Sequence, residues 1–153
     1  MVAVVRNGWT REGARQVLLA VGAGVLYGSW AAFANQAGGA AVALRAALTQ
    51  MLLSMAATLM LELVLERLFR LGRTPRRGFW LSWLGSSMLA ATALVTGHVL
   101  VGTPHVATTI APSLMVGTAF CYLYARGMLA RADAGTRVWR RRYQQFEMRC
   151  SPR

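Results

Sequence analysis

The chain has no lysine and little acid: all 17 basic residues are arginine, and only five residues are Asp or Glu. Arginine without lysine, alongside abundant alanine, reads as a bias of coding composition and carries no functional weight. The five acids include no pair at catalytic spacing. No serine, threonine or cysteine has a base placed beside it as an activated nucleophile would require, and no glycine-rich phosphate loop precedes a helix. Cysteine is equally sparse. Cys121 lies in an apolar stretch and Cys150 in a basic tail, so both read as reduced thiols, with no disulfide framework and no zinc motif. Two histidines without a neighbouring carboxylate or thiolate make a poor metal site. No metal and no cofactor is therefore expected.

What is present is an unusual pairing, a formal charge of +12 beside 56% hydrophobic residues. A soluble basic protein spreads its charge over its surface, whereas here long stretches have no arginine and short ones hold several. Four stretches supply the roughly 20 apolar residues that a helix needs to cross about 30 Å of hydrocarbon. They are placed at 16–35, 43–65, 79–101 and 105–125. The first follows Arg6, Arg11 and Arg15; its end at Ala32, Phe33 and Ala34 resembles a signal-peptide cleavage site, and the stretch is read as an uncleaved anchor.

The polar turn from Glu66 to Gly78 holds five arginines, whereas the connections near 35–40 and 102–105 hold none. Arginine in short loops marks the cytoplasmic side. The expected fold is thus an all-α integral membrane protein, a four-transmembrane-helix bundle of the inner (plasma) membrane with both termini in the cytoplasm. Residues 1–130 form the transmembrane domain and 131–153 a basic cytoplasmic tail. Within the tail, Trp139, Tyr143 and Phe146 share a helical face among Arg140, Arg141 and Arg142, the pattern of an amphipathic interfacial segment on anionic lipid. A positive-inside retention signal explains the same arginines, and nucleic acid is not an expected partner. Gly24 with Gly28, and Ser82 with Ser86, offer seams where helix backbones approach closely.

Polar groups in hydrocarbon are costly, so their positions point to candidate sites. His105, Thr108, Thr109, Pro112 and Ser113 fall on one face of the fourth span. Pro112 cannot donate to the carbonyl of residue 108, so a kink is expected there, with the Thr108 hydroxyl satisfying the freed group. In the second span Gln50, Ser54, Thr58 and Glu62 step by four along one broad side. Arg45 is the one basic residue on the outer side. The outer ends also carry Asn35, His98 and His105, and each histidine taken alone reads as a solvated loop residue. Arg45, Gln50, His98, His105, Thr109, Ser113 and Asn35 form the candidate ligand-binding set. Glu62, about one turn deeper than Glu66, is the candidate for proton coupling.

This pattern is read as a small transporter or flippase-type component that recognises an anionic solute or lipid headgroup on the outer side. The alternatives are a non-catalytic accessory subunit of a larger membrane complex and, third, an intramembrane lipid-modifying enzyme using a histidine base; the missing motifs weigh against catalysis. Membrane lipids are expected partners. Four spans are few for a transport path, so a homo-oligomer or a partner membrane protein is also expected.

Overall fold

The computed structural model describes the backbone of residues 2–150 and the side chains of residues 13–135. Four α-helices follow one another: α1 Val2–Ala34, α2 Ala40–Leu71, α3 Pro75–Leu100 and α4 Val106–Cys150, with a single 3₁₀ turn at Gln36–Gly38. Their segments Gly13–Ala34, Ala40–Leu71, Pro75–Leu100 and Val106–Gly135 are each long and apolar enough to cross a membrane. Large apolar side chains stand outward all round, with Leu18 72%, Met115 74% and Leu100 80% exposed. Lipid is the solvent such a surface requires, which marks the chain as a multi-pass membrane protein. The amphipathic face proposed for Trp139, Tyr143 and Phe146 lies outside the residues whose side chains are described.

Successive helices pack side by side, α1 on α2, α2 on α3 and α3 on α4, while α4 also reaches α2 and touches α1 more thinly. The α1–α2 and α3–α4 connections share one end of the bundle. The opposite end, called here the arginine end, carries the α2–α3 turn with Arg67, Arg70, Arg73, Arg76 and Arg77.

The helices run past several of the expected span limits, α4 as far as Cys150, and the α2–α3 connection changes most. The polar turn shrinks to Gly72–Thr74, because α2 remains helical to Leu71 and α3 begins at Pro75. The added turns of α2 are held by burial of Leu65, by the Glu66–Arg70 ion pair at 3.3 Å, and by contact of Phe69 with the next helix. Thr74 then caps α3, its hydroxyl accepting from the Arg77 amide at 3.3 Å, with Pro75 in the first turn where it displaces no helical donor.

Glycine and serine make the helix seams. Gly24 and Gly28 are buried against Met51, Met55 and Ala47 of α2. On the other face of α2, the Ser82 hydroxyl donates to the Leu65 carbonyl at 2.8 Å, and Ser86 is buried one turn further along α3. A close approach of backbone falls at Gly78 in α3, where an added Cβ would meet the Phe69 carbonyl oxygen at 2.6 Å. Because that oxygen is backbone and cannot swing aside, Gly78→Ala should cost about 1–3 kcal/mol. Reversible unfolding in mixed micelles checks this against Gly127→Ala, where the new methyl meets nothing within 4 Å and stability should hardly change.

Candidate functional site

A polar network ties α2, α3 and α4 together at the end that holds the α1–α2 and α3–α4 connections. Its centre is Gln50 of α2, fully buried. The Gln50 amide nitrogen donates to the Ser54 hydroxyl at 3.1 Å and to the Ser113 hydroxyl at 3.0 Å, while its carbonyl oxygen lies 2.7 Å from His98 Nε2. Ser113 donates its own proton to the Ile110 carbonyl at 2.9 Å, so it must accept from Gln50. That fixes which way the amide points. Its oxygen can only accept, so Nε2 of His98 carries the proton.

Nδ1 of His98 lies 3.0 Å from the Thr103 hydroxyl. The end of α3 explains why Thr103 is there. Gly102, at φ 68°, turns the chain back, with its amide on the Val99 carbonyl at 3.0 Å and the Thr103 amide on the His98 carbonyl at 3.0 Å. This double return places the residue after the glycine over the last turn of the helix. In the neutral ring, the Thr103 hydroxyl donates to Nδ1. His98 is therefore fully buried, contrary to the solvated loop position expected for it.

A second cluster joins α1 to α4. The Asn35 amide nitrogen donates to the Ala31 carbonyl at 2.9 Å and to the Thr109 hydroxyl at 2.8 Å, and its oxygen accepts from the His105 backbone amide at 3.3 Å. Thr109 passes its proton to the His105 carbonyl at 2.7 Å. The freed Thr108 carbonyl has a different partner from the one expected. The Trp30 indole of α1 donates to it at 2.9 Å, so a neighbouring helix supplies the donor that Pro112 lacks.

Of the predicted set, Gln50, His98 and Ser113 thus meet in one network and Asn35 and Thr109 in the second cluster, with their hydrogen-bonding groups engaged inside the chain. The His105 side chain is exposed, and its backbone alone enters the second cluster. Arg45 is exposed near the start of α2 and outside the network. Sequence reasoning missed Thr103 and Trp30. Gly102 was the available signal for the first, and the carbonyl four residues before Pro112 the signal for the second.

Away from this network α1 and α4 separate, leaving a cavity of about 420 Å³ between them, floored by α2 and α3. Its walls are mostly apolar, including Leu19, Ala23, Ala57, Ala90, Leu94, Val116 and Gly117. Ser54 and Ser113, which belong to the network, mark one end; Gln16, Glu62 and Phe120 lie towards the arginine end. Leu19, Val116 and Phe120 are also exposed on the bundle surface, so the cavity opens sideways between α1 and α4. Among the described residues no group of three or more His, Cys, Asp or Glu is placed to hold a metal ion.

No protein-family model matches the chain, and no curated protein or solved structure matches it significantly.

Proposed function

We propose that the chain is a small transporter or flippase-type component that takes an amphiphile from the bilayer into the cleft between α1 and α4. The observation that carries this reading is the lateral cavity, whose volume falls in the ~300–1,000 Å³ range of small-molecule sites. Small residues line it where larger ones would fill it, with Ala23 on α1, Ala57 on α2, Ala90 on α3 and Gly117 on α4. An accessory subunit that only packs against a partner has no need of such a space.

In this reading the arginine end faces the cytoplasm of a plasma-membrane protein, as arginine placement favours. The polar network seals the outer end of the cleft, and ligand leaves outward when that seal opens. Arg45, exposed at the outer headgroup level, holds a lipid phosphate there, and a second copy or a partner membrane protein completes the path.

Gly117→Leu tests the cleft. A Cβ at Gly117 meets nothing within 4 Å, so the leucine enters the cavity without straining the helices. Proteoliposomes containing the full chain should move a fluorescent single-chain amphiphile across the bilayer faster than empty ones, and Gly117→Leu should cut the protein-dependent rate by roughly tenfold or more. Equal rates with and without protein would remove the transport reading. Equal rates in the parent chain and the variant would remove the cleft from it.

A further inference from the structure

Two glutamates one turn apart on α2 have different surroundings. Glu66 is satisfied: one carboxylate oxygen accepts from Arg70 at 3.3 Å and the other from the Tyr124 hydroxyl at 3.3 Å. Glu62 lines the cavity, half-buried, and no hydrogen bond or ion pair reaches it from a described residue. Glu62 thus leaves its carboxylate oxygens open to a ligand in the cavity.

The rest of the wall indicates its charge. No basic residue lines the cavity, so an anionic head would meet the Glu62 carboxylate with nothing to offset the repulsion. At the same end of the space the wall includes one ring, Phe120 from α4, whereas Tyr27 of α1 lines the end nearer the network. The Tyr124–Glu66 bond sets the register of α4 against α2, and both helices run in the same direction. One turn back along each, Phe120 therefore stands level with Glu62. A carboxylate in an apolar cavity with an aromatic ring at its level is a composition suited to an organic cation. The arginines of this end, Arg67, Arg70, Arg126 and Arg131 among them, are exposed, where salt screens them over roughly 8 Å, whereas Glu62 borders the cavity directly.

We infer that the cleft selects amphiphiles with a cationic head, the apolar tail lying along the α1–α4 cavity and the head held by the Glu62 carboxylate at the level of Phe120. This rests on the cleft being a binding site and adds the charge of its ligand. It is separate from the phosphate contact assigned to Arg45, which is at the opposite end of the bundle.

Three probes with one tail separate the two ideas: dodecyltrimethylammonium, dodecanol and dodecyl sulfate, titrated into the full chain in lipid nanodiscs against empty nanodiscs. The ammonium probe should bind roughly tenfold more tightly than dodecanol, and dodecyl sulfate more weakly than either. Glu62→Gln should bring the ammonium-to-dodecanol ratio to about one, while Glu66→Gln, altering a carboxylate outside the cavity wall, should leave the ratio as it was. Because the ratio compares two ligands on the same protein, partial loss of folded material does not change it. Equal binding of all three probes, or an unchanged ratio in Glu62→Gln, would overturn the cationic head and leave the cleft standing. If none binds above the empty nanodisc, or if Gly117→Leu binds all three as the parent does, the cleft itself fails and this inference with it.

Discussion

Gln50→Leu should destabilise the bundle by about 3 kcal/mol, although it keeps the side-chain volume nearly unchanged and makes an intramembrane position more apolar. The lost bonds alone do not reach that figure. Gln50 bonds Ser54 within α2 and Ser113 and His98 on other helices, and polar contacts between membrane helices average about 0.6 kcal/mol each, so the two interhelical bonds give roughly 1 kcal/mol. The remainder comes from what is left behind. His98 is fully buried and its Nε2 proton has no other acceptor in the network, so leucine strands a donor away from water, which costs about 1–3 kcal/mol. Better apolar packing by leucine returns part of this. Reversible unfolding in mixed micelles gives the number, and a double-mutant cycle with His98→Ala should show about 1–2 kcal/mol of coupling between the two residues. A loss under about 0.5 kcal/mol would mean that the network does not hold the helices together. The protonation pattern of His98 is a second readout, since nitrogen chemical shifts should place the proton on Nε2 in the parent chain.

The crossing number could be read from the sequence because it depends only on run length and hydropathy, both local quantities. Helix faces were legible for the same reason. The four-residue steps of Gln50, Ser54, Thr58 and Glu62, and the Thr109 and Ser113 face of α4, follow from helical geometry alone; Gln50, Ser54 and Ser113 do enter the network and Thr109 the second cluster, whereas the His105 side chain expected on that face is exposed ahead of α4. Span ends were less legible. Charge suggested that α2 ends near residue 65, but a helix can carry arginines beyond the hydrocarbon at little cost, and packing of Leu65 and Phe69 against α3 keeps it going to Leu71.

Pairing between helices was not legible at all. Nothing local says that His98 meets Gln50 and not solvent, or that the carbonyl freed by Pro112 is met from α1 by Trp30. The cavity is the extreme case, because it exists only where α1 and α4 diverge. Ala23, Ala57, Ala90 and Gly117 are four among many small residues in the sequence, and only the fold shows that they share a wall. The charge asymmetry is now clearer too. Arg45 drew attention to the network end, while Glu62, which has no hydrogen bond or ion pair to a described residue, lies in the other half of the bundle.

Gly28→Leu should have an effect at least as large as Gln50→Leu, about 3 kcal/mol or more, because it acts on the seam that holds α1. An added Cβ at Gly28 already meets the Ala47 carbonyl oxygen at 3.0 Å and the Met51 Cβ at 3.2 Å. Neither atom is the end of a flexible side chain, so the branched remainder of leucine cannot be accommodated by a rotamer change and α1 must back away from α2. Gly24, one turn earlier, faces Met55 and Met51 on the same seam, so the separation propagates along the helix. Among the described residues, α1 packs far more thinly on α4 than on α2. Its contacts with α4 are concentrated near the network, in the Trp30–Thr108 and Asn35–Thr109 bonds. Gly22→Leu is the matched comparison: the glycine is exposed, a Cβ there meets nothing within 4 Å, and the new side chain faces lipid. It should leave unfolding nearly unchanged. Gly28→Ala should fall between, since its methyl requires a shift of only a few tenths of an ångström. Equal stabilities for the Gly22→Leu and Gly28→Leu variants would show that α1 is not held by this seam. If the ordering holds, ligand binding should fall with stability in the Gly28 series but be lost without it in Gly117→Leu, because the first moves a wall of the cleft and the second fills the space between walls that stay in place.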